Sequence, residues 1–239
     1  MRKGWGILAA AVSMSVMLAG ISYADTAQEK DSIDAAETEV QTETAATEAD
    51  TESEAELVRF DPDQVDGAYD ISDDELVYAV ISVEDYGDIT LALDQTIAPE
   101  SVANFVALAE DGFYDGLTFH RIIEDFMMQG GDPTGTGTGG SDTSIKGEFE
   151  DNGVENPITH VRGTISMART QDYDSATSQF FITQADCTYL DGQYAAFGYV
   201  TDGMDVVDAI CEDASPTDNN GSIAQDEQPV MTSVRILES

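Results

Sequence analysis

Hydrophobic and polar positions divide the chain into three stretches. Residues Trp5 to Ile21 form a largely apolar run. From Asp25 to about Asp70 the pattern disappears and Glu, Asp, Thr and Ala dominate, as in Glu37-Thr38-Glu39-Val40-Gln41-Thr42-Glu43. Periodicity sets in after that. Val77, Ala79, Ile81 and Val83 alternate with other residues, Asp85-Tyr86-Gly87-Asp88 marks a turn, and Ile89, Leu91 and Leu93 alternate again, which predicts a β-hairpin. Pro99 suits a first helical position, Val102, Phe105, Val106 and Ala109 recur at helical spacing, and Gly112 is a natural stop. Further strands are expected over 117–123, 126–129, 163–168, 179–183, 196–200 and 233–237, with a short helix over 204–210. Many short strands, glycine-rich turns and only two helices predict an antiparallel barrel or sandwich.

Arg2 and Lys3 precede the apolar run, and Ser22-Tyr23-Ala24 follow it before Asp25. That order resembles a secretory signal peptide, with cleavage expected after Ala24. The rival is an uncleaved anchor, since the run approaches the roughly 18 residues that span a bilayer. Leu18-Ala19-Gly20 opens like a lipoprotein box, but Ile21 stands where an acylated cysteine is required, so no lipid anchor is expected. Residues 25–71 bury too little apolar area to offset the entropy of ordering and are expected to be a disordered acidic linker, with at most transient helix near Ala45 to Leu57. A coil of about 45 residues reaches on the order of 35 to 40 Å, enough to hold a domain clear of a membrane or wall. The expected organisation is a signal peptide at 1–24, a linker at 25–71 and one folded domain at 72–239, secreted or associated with the cell envelope.

Composition narrows the partners. Asp and Glu number 48 against 9 Lys and Arg, a formal charge of -39 over 239 residues, so nucleic acid and anionic lipid are repelled. No membrane attachment is expected after signal cleavage. The acidity reads as solubility plus an unfolded tail rather than a cation site. Hydrophobic residues make up 41%, enough for a substantial core. Cys187 and Cys211 form no disulfide framework and no Cys-x-x-Cys pair, leaving one bridge and two buried thiols as open alternatives. His120 and His160 are too few and too scattered for a metal site, so neither metal nor cofactor is expected. His120 reads as a packing and hydrogen-bonding residue rather than a general base. The glycine-rich stretch Gly130 to Gly140 lacks the lysine and following hydroxyl of a phosphate loop and is expected to be a flexible surface loop. No serine, cysteine or carboxylate pair is arranged for hydrolysis.

Residues 119 to 132 read Phe-His-Arg-Ile-Ile-Glu-Asp-Phe-Met-Met-Gln-Gly-Gly-Asp. One permanent cation, Arg121, stands among the apolar Phe126 and Met127 and the amide of Gln129. If 117–123 is a strand, Phe119, Arg121 and Ile123 share one face. An arginine on an otherwise apolar face needs a reason: a structural salt bridge, or a function that uses its guanidinium fork. On composition alone the salt bridge is the simpler reading.

The run from Phe119 to Asp132 resembles the active-site signature of the cyclophilin family of peptidyl-prolyl cis/trans isomerases. Gly112-Phe113-Tyr114-Asp115-Gly116 upstream is similar to that family as well, as are Ile165-Ser166-Met167-Ala168, Ser178-Gln179-Phe180-Phe181-Ile182 and Leu190-Asp191-Gly192-Gln193-Tyr194-Ala195-Ala196-Phe197-Gly198 downstream. These motifs keep the family's order across about residues 75 to 239, which is far more specific than one short pattern. The resemblance implies a mainly β fold, a closed eight-stranded antiparallel barrel capped by two helices, with a proline-binding groove on its outer face. It implies that Arg121 is catalytic and that Gln129 helps to orient it. Phe126, Met127, Phe181 and Leu190 then form the proline pocket, Ala168, Arg169 and Gln179 line the neighbouring peptide groove, His120 and Phe197 flank the pocket, Tyr189 stands at its rim, and Tyr194 is a further substrate-binding residue. Many members carry tryptophan where Tyr189 stands and histidine where Tyr194 stands. Turnover of prolyl peptides is expected to survive both changes, whereas inhibition by the cyclic peptide cyclosporin is expected to weaken for want of an indole N–H.

The activity implied is cis/trans isomerisation of Xaa-Pro bonds in exported, folding polypeptides by a monomeric, cofactor-free enzyme. The alternative is a proline-peptide binding module or holdase that uses the same groove with little turnover. Retention of both Arg121 and Gln129 favours the enzyme. A third reading, a cation-sequestering acidic surface protein, rests on charge alone.

Overall fold

The structure, a computed structural model, describes residues 57–71 and 76–237. The expected signal peptide and the linker up to residue 56, including its tendency to helix near Ala45, lie outside the described residues. The predicted hairpin forms: β1 (Leu76–Val83) and β2 (Gly87–Asp94) pair antiparallel from Leu76↔Asp94 to Val83↔Gly87. Asp85 closes the turn at φ 65°, a left-handed conformation that aspartate tolerates because its short side chain can hydrogen-bond locally. The first helix, α1 (Pro99–Glu110), opens with the expected proline. Its free N–H groups are met from a distant loop, where the buried carboxylate of Glu148 accepts from the Glu100 N–H at 2.9 Å and the Ser101 N–H at 2.8 Å.

The remaining elements are β3 (Thr118–Ile123), β4 (Met127–Asp132), β5 (Thr164–Met167), β6 (Phe180–Thr183), β7 (Ala196–Asp202), α2 (Met204–Asp213) and β8 (Met231–Leu237). All strand pairs are antiparallel, in the order β3-β4-β6-β5-β7-β2-β1-β8. The sheet curls until its two edge strands meet at Thr118↔Val230. There the Gly116 N–H donates to the Met231 carbonyl and the Met231 N–H to the Leu117 carbonyl, both at 2.8 Å. The expected eight-stranded barrel is thus present, joined at its seam by a few hydrogen bonds rather than a full ladder. Residues 220–223 cover more of the β3 edge through Arg121↔Ser222 and an Ile122 N–H to Gly221 carbonyl bond of 2.8 Å.

The interior is aromatic. Phe105 of α1 meets Tyr114, Phe180 and Phe197 at ring separations of 5.2, 5.5 and 5.7 Å, and all four rings are fully buried. Each such burial is worth roughly 1.5 to 3 kcal/mol. Helix α2 adds Val207, Ile210 and Cys211 to the same core. Cys187 and Cys211 are both free, buried thiols, and burial pushes Cys211 up to about 12.

Residues 57–71 correct the expected linker boundary. Phe60 stacks on Tyr199 at 5.5 Å and 14°, the Tyr69 N–H donates to the Tyr199 hydroxyl at 2.9 Å, and the Thr159 hydroxyl donates to the Gly67 carbonyl at 2.9 Å. Phe60 and Ile71 are 7% and 2% exposed. With Leu57, Val65 and Ala68 they form a second apolar cluster with Tyr78, Ala92, Ala196 and Tyr199, on the outer side of β1, β2 and β7. Averaging composition over a long acidic stretch hid these few apolar residues, which are enough to hold a short strap against an apolar sheet face.

Candidate active site

Strands β3 and β4 do not pair residue for residue. Phe119 faces Gly130 and Arg121 faces Gln129, which leaves His120 as an extra residue in β3. Such a bulge reverses the side-chain alternation beyond it. Phe119 therefore points into the core, where its ring meets Phe180, while Arg121 emerges on the outer face. The expectation that Phe119, Arg121 and Ile123 share a face fails for Phe119 for this reason. Arg121, Gln129, Phe181 and Ser166 are successive ladder partners, one row across four strands with neighbours about 5 Å apart.

This row places a cation among apolar side chains. The Arg121 guanidinium carbon lies 5.9 Å from the Phe126 ring centre, and its Nη1 lies 3.7 Å from the Met127 sulfur. Phe181 packs edge-on against Tyr194 at 5.8 Å and flat against His160 at 6.0 Å. The His160 ring is itself fixed, with Nδ1 at 2.9 Å from Asp191 and Nε2 at 3.0 Å from the Ser166 hydroxyl. Burial pulls His160 below its usual value, with Asp191 opposing. A 3-10 turn, Thr188–Leu190, brings the exposed Tyr189 to 6.2 Å from Phe126, with half-buried Leu190 next in the turn.

Among the described residues, Arg121 is hydrogen-bonded only to neutral groups. Nη1 donates to Gln129 Oε1 at 3.2 Å and Nε to the Asn220 carbonyl at 2.8 Å, and Nη2 has no acceptor among the described residues. The ion pairs among those residues are His160–Asp191, Arg162–Asp208 and Arg235–Asp115, so the salt-bridge reading of Arg121 falls. Burial lowers the guanidinium from its usual value, opposed by Tyr194 and Asp218, but arginine stays charged.

A chain of amides sets that orientation. Gln129 Nε2 donates to Gln179 Oε1 at 2.8 Å, Gln179 Nε2 to the Gly139 carbonyl at 2.7 Å, and the Gly139 N–H to Asp132 Oδ2 at 3.1 Å. Buried Asp132 also accepts from the N–H groups of Thr134, Thr136 and Gly137 at 2.7, 3.2 and 2.6 Å. Burial pushes its carboxyl up, but these N–H donors outweigh that and hold it below the usual range. The glycine-rich stretch is a surface loop, as expected, and is wound on a buried carboxylate. Gln179, Ala168 and Arg169 line a depression of about 540 Å³, together with Gln129 and Gly139.

Two expected site residues do not reach the groove. Phe197 is the extra residue of a second bulge, where Ile165 faces Gly198 and Ser166 faces Ala196, and it turns into the barrel against Phe105. His120 is buried against Gly137, whose φ is 82°, and neither ring nitrogen has a hydrogen-bond partner among the described residues. It packs as expected but does not hydrogen-bond, and burial lowers it from its usual value. Sequence reasoning gave no role to Asp132, to His160 behind Phe181, or to Asn220. Asp132 carries a signal, an acid at the mouth of a run of glycines; Asn220 sits 99 residues from Arg121 and carries none.

Residues 78–238 match the family model described as cyclophilin type peptidyl-prolyl cis-trans isomerase. The chain belongs to the cyclophilin family. This cyclophilin is 46% identical over 147 residues to a peptidyl-prolyl cis-trans isomerase of Helicobacter pylori, a span of 59% of this chain and 87% of that one. It is 48% identical over 123 residues to peptidyl-prolyl cis-trans isomerase B of Bacillus subtilis, covering 52% and 82%. A solved cyclophilin type peptidyl-prolyl cis-trans isomerase of Cryptosporidium parvum shares the fold with a TM-score of 0.61 at 29% identity, over 69% of this chain and 99% of that one. That protein was also solved in the presence of the dipeptide Ala-Pro. The present chain is accordingly a peptidyl-prolyl cis-trans isomerase, and its strap at 57–71 lies before the matched region.

Proposed function

We propose that this cyclophilin speeds rotation about Xaa-Pro bonds in polypeptides folding after export, with Arg121 as the catalytic group, Gln129 as its positioning partner, and Phe126, Met127, Phe181 and Leu190 as the proline pocket. One observation carries the residue assignment: a guanidinium held by neutral acceptors, with no acceptor for Nη2 among the described residues, stands beside the apolar Phe126 and Met127. Rotation about the imide has a barrier of roughly 18 to 20 kcal/mol because resonance must be broken. In the twisted state the prolyl nitrogen becomes pyramidal and gains a lone pair, while the carbonyl loses its amide character. A donor beside that nitrogen, or on the carbonyl oxygen, binds the twisted form better than either planar form, which is catalysis by differential binding. Arg121 has N–H groups to give and forms no ion pair with a carboxylate of the described residues. No nucleophile is needed. The apolar slot grips the proline ring while the acyl side turns, and the Ala-Pro present with the Cryptosporidium relative supports proline as the group recognised.

The exported setting is supported by the basic, apolar and small-residue order of the first 24 residues. Tyr189 offers a phenol at the rim and no indole N–H, so cyclosporin inhibition stays weak. A coupled assay on an Xaa-Pro peptide tests the activity, and inactive wild-type protein would favour a binding module. Intact mass of the exported chain tests the processing: retention of Met1 to Ala24 would rule out cleavage.

A further inference from the structure

We infer that Arg169 makes this cyclophilin select proline segments carrying an acidic residue within about three residues of the proline. The inference rests on the groove assigned above and adds the charge of the substrate. Arg162 and Arg235 are each engaged by a carboxylate, at 2.7 and 2.8 Å. Arg169 is not. Its Nε and Nη2 donate to the Gln193 carbonyl at 3.0 and 2.7 Å, and Nη1 donates to the Thr170 carbonyl at 2.8 Å. Its guanidinium carbon also lies 4.7 Å from the Tyr194 ring centre, 4.9 Å from Tyr173 and 5.0 Å from Phe149. Three rings and two carbonyls fix its plane without neutralising it, and three of its five N–H donors are used, leaving two. In a chain with 48 Asp and Glu, no carboxylate of the described residues pairs with this cation.

Its position relates it to the substrate. Arg169 lines the depression that also contains Gln129 and Gln179, the two amides that orient Arg121. Tyr194 links it to the proline slot, with Arg169 on one contact at 4.7 Å and Phe181 on the other at 5.8 Å. An extended peptide advances ~3.3 Å per residue, so a side chain within about three residues of a bound proline reaches the guanidinium. A carboxylate matches the arginine fork, and a cation already fixed in place loses little freedom on binding it. The rest of the molecule acts in the opposite sense, since a net charge of -39 repels an acidic peptide at long range. The local and global effects therefore carry opposite signs of salt dependence.

The test is a set of prolyl peptides with Glu or Gln at each of the three positions before and after the proline. Turnover and equilibrium binding are measured for full-length wild type, Arg169→Gln and Arg169→Lys, at low and high ionic strength. In wild type at low salt, Glu is expected to exceed Gln by about three- to tenfold at one position, the ratio falling towards one as salt rises. In Arg169→Gln the ratio is expected to drop to one or below and to rise with salt, while Arg169→Lys keeps part of the preference. A merely structural Arg169 would lower binding of both peptides alike and leave their ratio untouched, which overturns the inference, as does a wild-type ratio of one or less at every position. Turnover and binding separate the two readings: charge-selective binding without turnover would sink the isomerase assignment and keep this one.

Discussion

Two patches on the outer side of one barrel are apolar, and the chain treats them in opposite ways. Behind β1, β2 and β7, Tyr78, Ala92 and Tyr199 are covered by the strap at 57–71, with Phe60 stacked on Tyr199. Across β3, β4 and β6, Phe126 and Met127 lie beside Arg121, with Phe181 further along the row, and no strap of the described residues covers them. The covered patch is an apolar cluster; the open one contains a guanidinium that pairs with no carboxylate of the described residues. An apolar sheet face has to be covered by something: the protein completes one face with its own chain, and the other is the one proposed above to receive a proline.

Exchanging one ring on each side breaks that comparison. Phe60→Ala should cost about 3 kcal/mol of stability, read by denaturant unfolding, and leave turnover per folded molecule unchanged. Phe181→Ala should also destabilise, but with a fall of about 10- to 100-fold in kcat/KM. If Phe60→Ala lost turnover at full folding, the two faces would not be separable. Smaller is the effect of loosening the amide chain: Asp132→Asn replaces an acceptor by an N–H among several N–H donors and should lower kcat by about tenfold with little change in KM. Combined with Gln179→Ala it should add nothing further, because both cut one path to Arg121. Additive losses would show that Asp132 acts only on the loop.

The smallest expected effect is pH dependence. Burial holds His120 and His160 below their usual values, so the unfolded chain takes up protons first. The stability they contribute is present above about pH 6.5, the unfolded value, and is lost as pH falls from there towards the folded values. Thermal unfolding should therefore show a decline below about pH 6.5, while kcat of the folded enzyme stays flat from there to pH 9, since Arg121 remains charged. A kcat that titrates within that window would point to a general acid or base.

The β-hairpin, both helices and the strand order of magnitude in length were legible because alternation and helical spacing are local signals. The face on which Arg121 emerges was not, because the bulge at His120 shifts the period by one, and Phe197 was misplaced by a bulge of the same kind. The strap escaped notice because Phe60 and Ile71 were averaged with acidic neighbours. The Asn220 carbonyl and the Asp132-centred loop depend on how the chain returns to itself, and short-range spacing does not record that.

The central claim is that Arg121 favours the half-rotated imide over its planar states, and it is tested most directly by measuring kcat and peptide Kd side by side for wild type and Arg121→Ala. The expected result is a loss of about 100- to 1000-fold in kcat with Kd nearly unchanged. A variant that keeps its kcat, or that loses binding and turnover in equal proportion, would contradict it.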